Sequence, residues 1–227
     1  LKENPNKEFM PKTYIFGAKA APGYYFAKQI IRFIVKLAEI INNDPQVNNK
    51  LKVIYLENYN VTLAELLIPA AEISEQISLA GTEASGTGNM KFMLNGAITI
   101  GTLDGANIEM SEAMGKENMI IFGMKSKDVK ELERIGYNPK IYYNNNPLIK
   151  NAINKMNTGI NNIQFSDIAH SLTSRDPYMV LADFADYHAA QEKASSLYSN
   201  KYIWNQMSLM NIANSGFFAA DRAINQY

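Results

Sequence analysis

The residues with the most chemical potential lie together in Glu83-Ala84-Ser85-Gly86-Thr87-Gly88-Asn89-Met90-Lys91-Phe92. Gly86 and Gly88 permit backbone angles that turn successive N–H groups toward one concave side, an anion nest. With Gly88 to Leu94 helical, the nest also sits at a helix N-terminus, where unpaired donors and the dipole favour a phosphate. Thr87 adds a hydroxyl donor. Lys91 follows Thr87 by four residues, so its stem shares the nest's face of the helix. An amine that close to a phosphate cradle suits a ligand bearing both a phosphate and an aldehyde. Pyridoxal phosphate is such a ligand, held at one end by the nest and at the other by a Schiff base to Lys91. The pattern also has a plainer reading: glycine-rich turns precede helices in many α/β proteins, and a lysine nearby usually faces solvent.

The elements that must position these residues follow from the hydrophobic pattern. Thr13 to Phe16 reads as a buried strand ending at Gly17, with Pro22-Gly23 marking the loop after it. Apolar residues from Phe26 to Ile41 recur at helical spacing, and Asn42-Asn43-Asp44-Pro45 ends that helix. Lys52 to Leu56 is the next strand. Its exit carries Glu57-Asn58-Tyr59, a candidate site wall, because ligands in open α/β sheets sit beyond the carboxyl ends of strands. Val61 to Leu67 predicts a helix stopped by Pro69, and Ile73 to Leu79 a short element leading into the nest. Ala97 to Ile100 and Met119 to Phe122 read as strands, Ala106 to Met114 and Lys127 to Arg134 as helices, with a turn at Asp104-Gly105. This alternation, roughly every 20 to 40 residues, predicts right-handed βαβ units and a parallel sheet. From Asn138 the character changes. Polar loops at Asn144 to Pro147 and Asn157 to Asn162 flank a helix near Leu148 to Met156, and long helices follow over Phe184 to Tyr198 and Tyr202 to Ala213.

Composition excludes several classes. A chain of 227 residues can bury one full core, and its 47% apolar content predicts folding rather than disorder. Lys+Arg 22 balance Asp+Glu 22, which argues against a general binder of nucleic acid or membrane surface. The absence of cysteine rules out disulfides, Cys-ligated metals and a cysteine nucleophile, and fits a cytoplasmic enzyme. There is no uninterrupted apolar run of membrane length, and the first residues do not read as a signal peptide. Leu1 to Phe9 reads as the tail of a longer element, so a fragment is expected.

Other residues carry less. His170 and His188 stand singly on predicted helices and read as structural or surface residues. Asp183 and Asp186 near His188 do not share one helical face with it, so no metal site is expected. The methionines, including Met90, Met93, Met110 and Met114, read as core filling. Glu83 and Asp104 could pair as glycosidase carboxylates, yet they lie on different elements whose separation the sequence does not fix. Glu83 alternatively hydrogen-bonds sugar hydroxyls.

The longer run from Glu83 to Ala97, with Gly101-Thr102-Leu103-Asp104-Gly105-Ala106-Asn107, closely resembles the cofactor-binding signature of the α-glucan phosphorylases, the family of glycogen, starch and maltodextrin phosphorylases. The likeness extends to Gly17-Ala18-Lys19-Ala20-Ala21-Pro22-Gly23-Tyr24, Leu56-Glu57-Asn58-Tyr59, Ile121-Phe122-Gly123 and Asp221 to Tyr227, and weakens between about Tyr142 and Arg175. It implies a Rossmann-like parallel sheet with helices on both faces, the C-terminal half of a GT-B glycosyltransferase, plus a helical C-terminal extension. On that basis residues 1–227 form one cofactor-binding domain, with a sheet core over about 10–137, a helical tail over about 138–227 and the N-terminal domain missing.

The resemblance implies phosphorolysis: inorganic phosphate attacks the terminal glucose of an α-1,4-glucan and releases glucose 1-phosphate with retention. It implies pyridoxal phosphate as cofactor, with Lys91 as the Schiff-base lysine. Gly86, Thr87 and Gly88 then lie at the cofactor phosphate, Tyr59 beside the ring, and Glu83, Ala84, Ser85 and Gly86 along the glucose subsite. A homodimer is implied for the full-length enzyme. The family's basic segment, a Lys-Arg pair followed by His-Glu-Tyr-Lys-Arg, does not occur in these residues. Nor do the sugar-binding histidine and asparagine of the N-terminal half, so the fragment alone is expected to be inactive. Two readings from the residues stay open beside this one. The first is a nucleotide- or phosphate-binding Rossmann-like domain without covalent cofactor, for which Glu57 is a loose ribose candidate but the third glycine is missing. The second is a regulatory module without chemistry.

Overall fold

The computed structural model describes residues 9–47 and 49–227. The expected element over Leu1 to Phe9 therefore lies outside the described residues except for Phe9 itself. Along the chain come β1 (Lys12–Gly17), α1 (Tyr25–Asn43), β2 (Leu51–Leu56), α2 (Val61–Ala70), β3 (Ile73–Gln76), α3 (Gly88–Leu94), β4 (Ile98–Gly101) and α4 (Asn107–Met114). Then follow β5 (Ile120–Ile121), α5 (Ser126–Ile135), α6 (Pro139–Asn145), α7 (Pro147–Thr158), α8 (Ser166–Ser174), α9 (Val180–Ser199), α10 (Lys201–Ala213) and α11 (Ala220–Ile224). The fold is α/β, and every strand pairing among the described residues is parallel. The described residues divide into two compact units. One holds those through Val61 together with Lys140–Arg175; the other holds Thr62–Pro139 with Asp176–Tyr227.

In the first unit β1 and β2 pair with Tyr14 opposite Val53 and Phe16 opposite Tyr55, and α1 is the crossover between them. The far edge of β2 is closed by a side chain. Asn42, at the end of α1, donates to the Val53 carbonyl at 2.7 Å and accepts from the Val53 amide at 3.1 Å, copying the pattern of a third strand. The residue read as a helix stop thus also serves the sheet. α1 packs by its apolar stripe, with Phe33 edge-on to Phe165 at 5.1 Å beside Ile160 and Ile168.

The second unit contains a three-stranded ladder in the order β3-β4-β5. β4 is buried along its whole length, as a central parallel strand must be. Side chains alternate between the faces of a strand. On one face Ile98, Ile100, Ile120 and Phe122 pack against Ala190 and Ala194 of α9 and Trp204 and Met207 of α10. On the other, Met119 and Ile121 join Met93 of α3 and Met110 and Met114 of α4. Helices therefore cover both faces of this sheet, and Met93, Met110, Met114 and Met119 are core filling, as expected, whereas Met210 of α10 is exposed.

Among the described residues the strands pair in two ladders, β1 with β2 and β3-β4-β5, each within one unit. Two local differences from the sequence reading have physical causes. α2 runs through Pro69 to Ala70 instead of stopping before it. Pro69 cannot donate to the Glu65 carbonyl, and the helix ends within one residue of it, so the proline still marks the stop to within a residue. α6 occupies a stretch the pattern left unassigned and runs two residues into the loop expected at Asn144 to Pro147; it begins on Pro139 in the first helical turn, a position that needs no N–H donor.

Candidate functional site

Gly86 sits at φ +79°, in the left-handed region that favours glycine. Gly88 does not; it is the first residue of α3, with open space where a Cβ would stand. The nest therefore turns on one left-handed glycine, not two: a helical first turn needs ordinary right-handed angles, and Gly88 already has them. Thr87 is the N-cap of α3 and its side chain makes no capping bond. The first amides of the helix thus have no intrahelical partner, though Asn89 Oδ1 accepts from the Met90 amide at 2.9 Å. Helical spacing then sorts the side chains. Asn89 and Met93 point inward and are buried, while Thr87 and Lys91 share the exposed face.

Beneath this exposed loop lies a layer of buried polar groups. Asp104, only 4% exposed, accepts from the Gly81 amide at 2.8 Å, the Glu83 amide at 2.9 Å and the Ser78 hydroxyl at 2.8 Å. The Ala106 amide donates to the Ser85 carbonyl at 2.8 Å. Gly81, Glu83 and Ser85 are alternate residues, so the 81–85 backbone lies along Asp104 to Ala106 by one side. Gly105, at φ +49°, allows the approach: a Cβ there would stand 2.6 Å from the Ser85 carbonyl oxygen. A second buried set grips the next stretch. Asn89 donates to Asn107 Oδ1 at 3.0 Å and to the Ser85 carbonyl at 3.3 Å, and Asn107 donates to the Thr102 carbonyl at 3.0 Å.

These bonds decide the paired-carboxylate question. Both oxygens of Asp104 are turned to backbone and hydroxyl donors, leaving it no part in acid–base chemistry with Glu83. Burial alone would push its carboxyl upward, but the Glu83 and Gly81 amides and the Ser78 hydroxyl outweigh that and hold it below its ordinary value. The sequence offers Asp104 as a turn residue or as a partner carboxylate for Glu83, and gives Asn89 and Asn107 no separate role. The available signal was polar side chains set among small residues immediately after a buried strand.

Glu83, Ala84, Ser85, Thr87 and Lys91 are brought onto one exposed loop and helix face of the second unit. Tyr59 belongs to the first unit. It is half-buried just past the exit of β2, after Asn58 at φ +50°. Its ring lies over the exit of β1, where a Cβ on Gly17 would come 2.6 Å from Tyr59 Cδ2. Tyr55 donates its hydroxyl to the Ala18 carbonyl at 2.7 Å, tying the same two strand ends together.

The remaining candidates are peripheral. His170 and His188 are exposed, His188 beside Phe184 with ring centroids 6.4 Å apart. Asp183 docks the turn after β5, accepting from the Met124 amide at 2.9 Å, while its carboxylate occupies the space a Cβ on Gly123 would need. Among the described residues, no helix is long and apolar enough to cross a membrane.

The chain's likeness to known proteins is extensive. The family model for carbohydrate phosphorylases matches residues 1–227. The chain is 52% identical over 231 aligned residues to the muscle form of glycogen phosphorylase from Homo sapiens. It is 54% identical to the liver form from Bos taurus and 53% to the liver form from Homo sapiens. Each alignment takes in 100% of this chain but 27% of the relative, so the chain spans about a quarter of the length of these proteins.

Proposed function

The chain belongs to the carbohydrate phosphorylase family, and on that premise we propose that it is the C-terminal, pyridoxal-phosphate-binding part of an α-glucan phosphorylase. The reaction is phosphorolysis of an α-1,4-glucan by inorganic phosphate to glucose 1-phosphate with retained configuration. The observation that carries the reading is the left-handed Gly86 leading into α3, with Lys91 one turn in and exposed on the same face as Thr87. An anion cradle and an amine at that separation fit a cofactor with a phosphate at one end and an aldehyde at the other.

When bound, the cofactor supplies a phosphate that exchanges a proton with the substrate phosphate. The chain's own residues hold and orient. The unpaired amides at Gly88 and the turn at Gly86 meet a phosphate without reorganising, which favours a fixed charge. Thr87 adds a hydroxyl donor to that phosphate, and Lys91 anchors the aldehyde end covalently. For Tyr59, whose ring Gly17 leaves room for within its own unit, the family resemblance implies a place beside the cofactor ring. Glu83, Ala84, Ser85 and Gly86 line the glucose subsite, the Glu83 carboxylate accepting from sugar hydroxyls. Residues 1–227 act as one cofactor-binding domain in this reading.

Borohydride reduction followed by peptide mapping tests it. A pyridoxyl group on Lys91 is the expected result. A protein that retains phosphate ligands but takes no label would instead be a nucleotide- or phosphate-binding domain, with Lys91 a counter-charge only.

A further inference from the structure

The buried carboxylate beneath the loop does more than fill a core position. We propose that Asp104 is a positioning residue for the sugar side of the site, fixing the 81–85 backbone so that Glu83 and Ala84 are presented at one set place. The inference rests on the glucan phosphorylase reading for the identity of the ligand, but its structural half stands on geometry alone.

The contacts are arranged for that task. Asp104 reaches the amides of Gly81 and Glu83 at 2.8 and 2.9 Å, and the neighbouring Ala106 amide takes the Ser85 carbonyl at 2.8 Å. Three alternate residues of an exposed segment are thereby tied to a rigid turn at the carboxyl end of β4, a buried parallel strand. The Ser78 hydroxyl completes the carboxylate's shell, and Thr102 Oγ1, donating to the Ser78 carbonyl at 2.7 Å, fixes Ser78 in turn. The Asp104 carboxylate itself makes no contact with the first turn of α3. That turn is held through Asn89 and Asn107, and the two sets meet at the Ser85 carbonyl, which accepts from Asn89 at 3.3 Å as well as from the Ala106 amide. Gly81 and Glu83 are held by the carboxylate and not by the asparagines, so the sugar side can be loosened there while Asn89 and Asn107 keep the phosphate and amine side in place.

Asp104→Asn probes this with almost no change in volume. An amide offers one acceptor oxygen where the carboxylate offers two, and its NH₂ must face an amide N–H or the Ser78 hydroxyl. The oxygen can keep Gly81, but the Glu83 amide then meets a donor and is left unpaired. Gly105→Ala reaches the same segment without altering the Asp104 carboxylate, because its Cβ would press within 2.6 Å of the Ser85 carbonyl oxygen and 3.1 Å of Glu83 Cγ.

The holoenzyme carrying each variant is assayed in the direction of glucan synthesis. Its cofactor content is measured after denaturation, and its amide exchange is followed by peptide mass spectrometry. The expected result for both variants is a rise in KM for glucose 1-phosphate of at least about tenfold, the equivalent of about 1.4 kcal/mol, with a smaller fall in kcat. Cofactor content stays unchanged, and exchange quickens over 80–85 but not over α3. An unchanged KM despite quickened exchange overturns the proposal, as does loss of cofactor in step with the change in KM. Should Asp104→Asn fail to fold, Gly105→Ala decides the matter by the same readouts. Failure of the cofactor reading appears separately, as no label on Lys91 of the unmodified protein. The exchange measurement then still reports whether Asp104 fixes the segment.

Discussion

Lys91 can be removed without disturbing the fold, because the packing of α3 is carried by Asn89 and Met93 on its inward face. Lys91→Ala should abolish covalent cofactor binding and activity while shifting stability by no more than about 0.5 kcal/mol, the ordinary range for an exposed substitution. Absorbance of the dialysed protein and a melting curve check both halves; activity in cofactor-free buffer would refute the assignment. The two glycines before it separate cleanly. Gly86→Val forces a β-branched residue to φ +79° and sets a Cβ 3.2 Å from Asn89 Oδ1. The strain is roughly 1–2 kcal/mol, or about tenfold in cofactor retention. Gly88→Ala meets nothing within 4 Å and should retain cofactor as the parent does, on dialysis and absorbance. The sequence reading marked both glycines as permissive and could go no further, since glycine allows a left-handed angle without requiring one. Asp104 was illegible for a related reason: nothing local tells a turn aspartate from one whose oxygens face amides more than twenty residues away in the chain.

Helices with a clear apolar stripe, such as α1, were legible to within a few residues. α6 was not, because Asn144 to Asn146 look like a loop and the helix depends on its Pro139 start. Elements also impose charge costs that the pattern hides. Asp183, at the start of α9, is pushed above its ordinary carboxyl value by burial; the Met124 amide opposes this, and the neighbouring Asp186 and Asp176 add to it. With the folded pKa raised, the native state holds a proton that the unfolded chain has released, so stability falls as pH rises through that window. At neutral pH the cost is fully present. Asp183→Asn keeps an acceptor for the Met124 amide and removes the charge. Its thermal midpoint should exceed the parent's at pH 7, and the advantage should vanish below about pH 4, where aspartates are protonated in both states. An equal gain at acid and neutral pH would place the effect in packing instead.

The chain passes between its two compact units at residues 61–62, 139–140 and 175–176. Both units are therefore assembled from distant stretches, which is why the local pattern foretold parallel strands but not which of them pair. Strand spacing reports on existence and type, whereas pairing depends on contacts between distant stretches of chain. Completeness of the site is a question at the same scale. Phosphorolysis brings two phosphates nearly into contact, and two unit charges about 4 Å apart repel by roughly 4 kcal/mol at an effective dielectric of 20. In the family resemblance, the cations that offset this come from a basic segment not found among these 227 residues. The 227 residues expressed by themselves should thus release no glucose 1-phosphate from maltoheptaose and phosphate, even with saturating pyridoxal phosphate. Turnover near that of a full-length relative would show the site to be contained in this chain. The covering of β4 and β5 by α9 and α10 has a last consequence, in time rather than in space. Ile98, Ile100, Ile120 and Phe122 are synthesised well before the helices that shield them. At about 5–20 residues per second, a ribosome leaves that surface bare for several seconds. Nascent chains stalled before Val180 should therefore crosslink to ribosome-associated chaperones through this face, and chains carried past Ala213 on a tether should let them go.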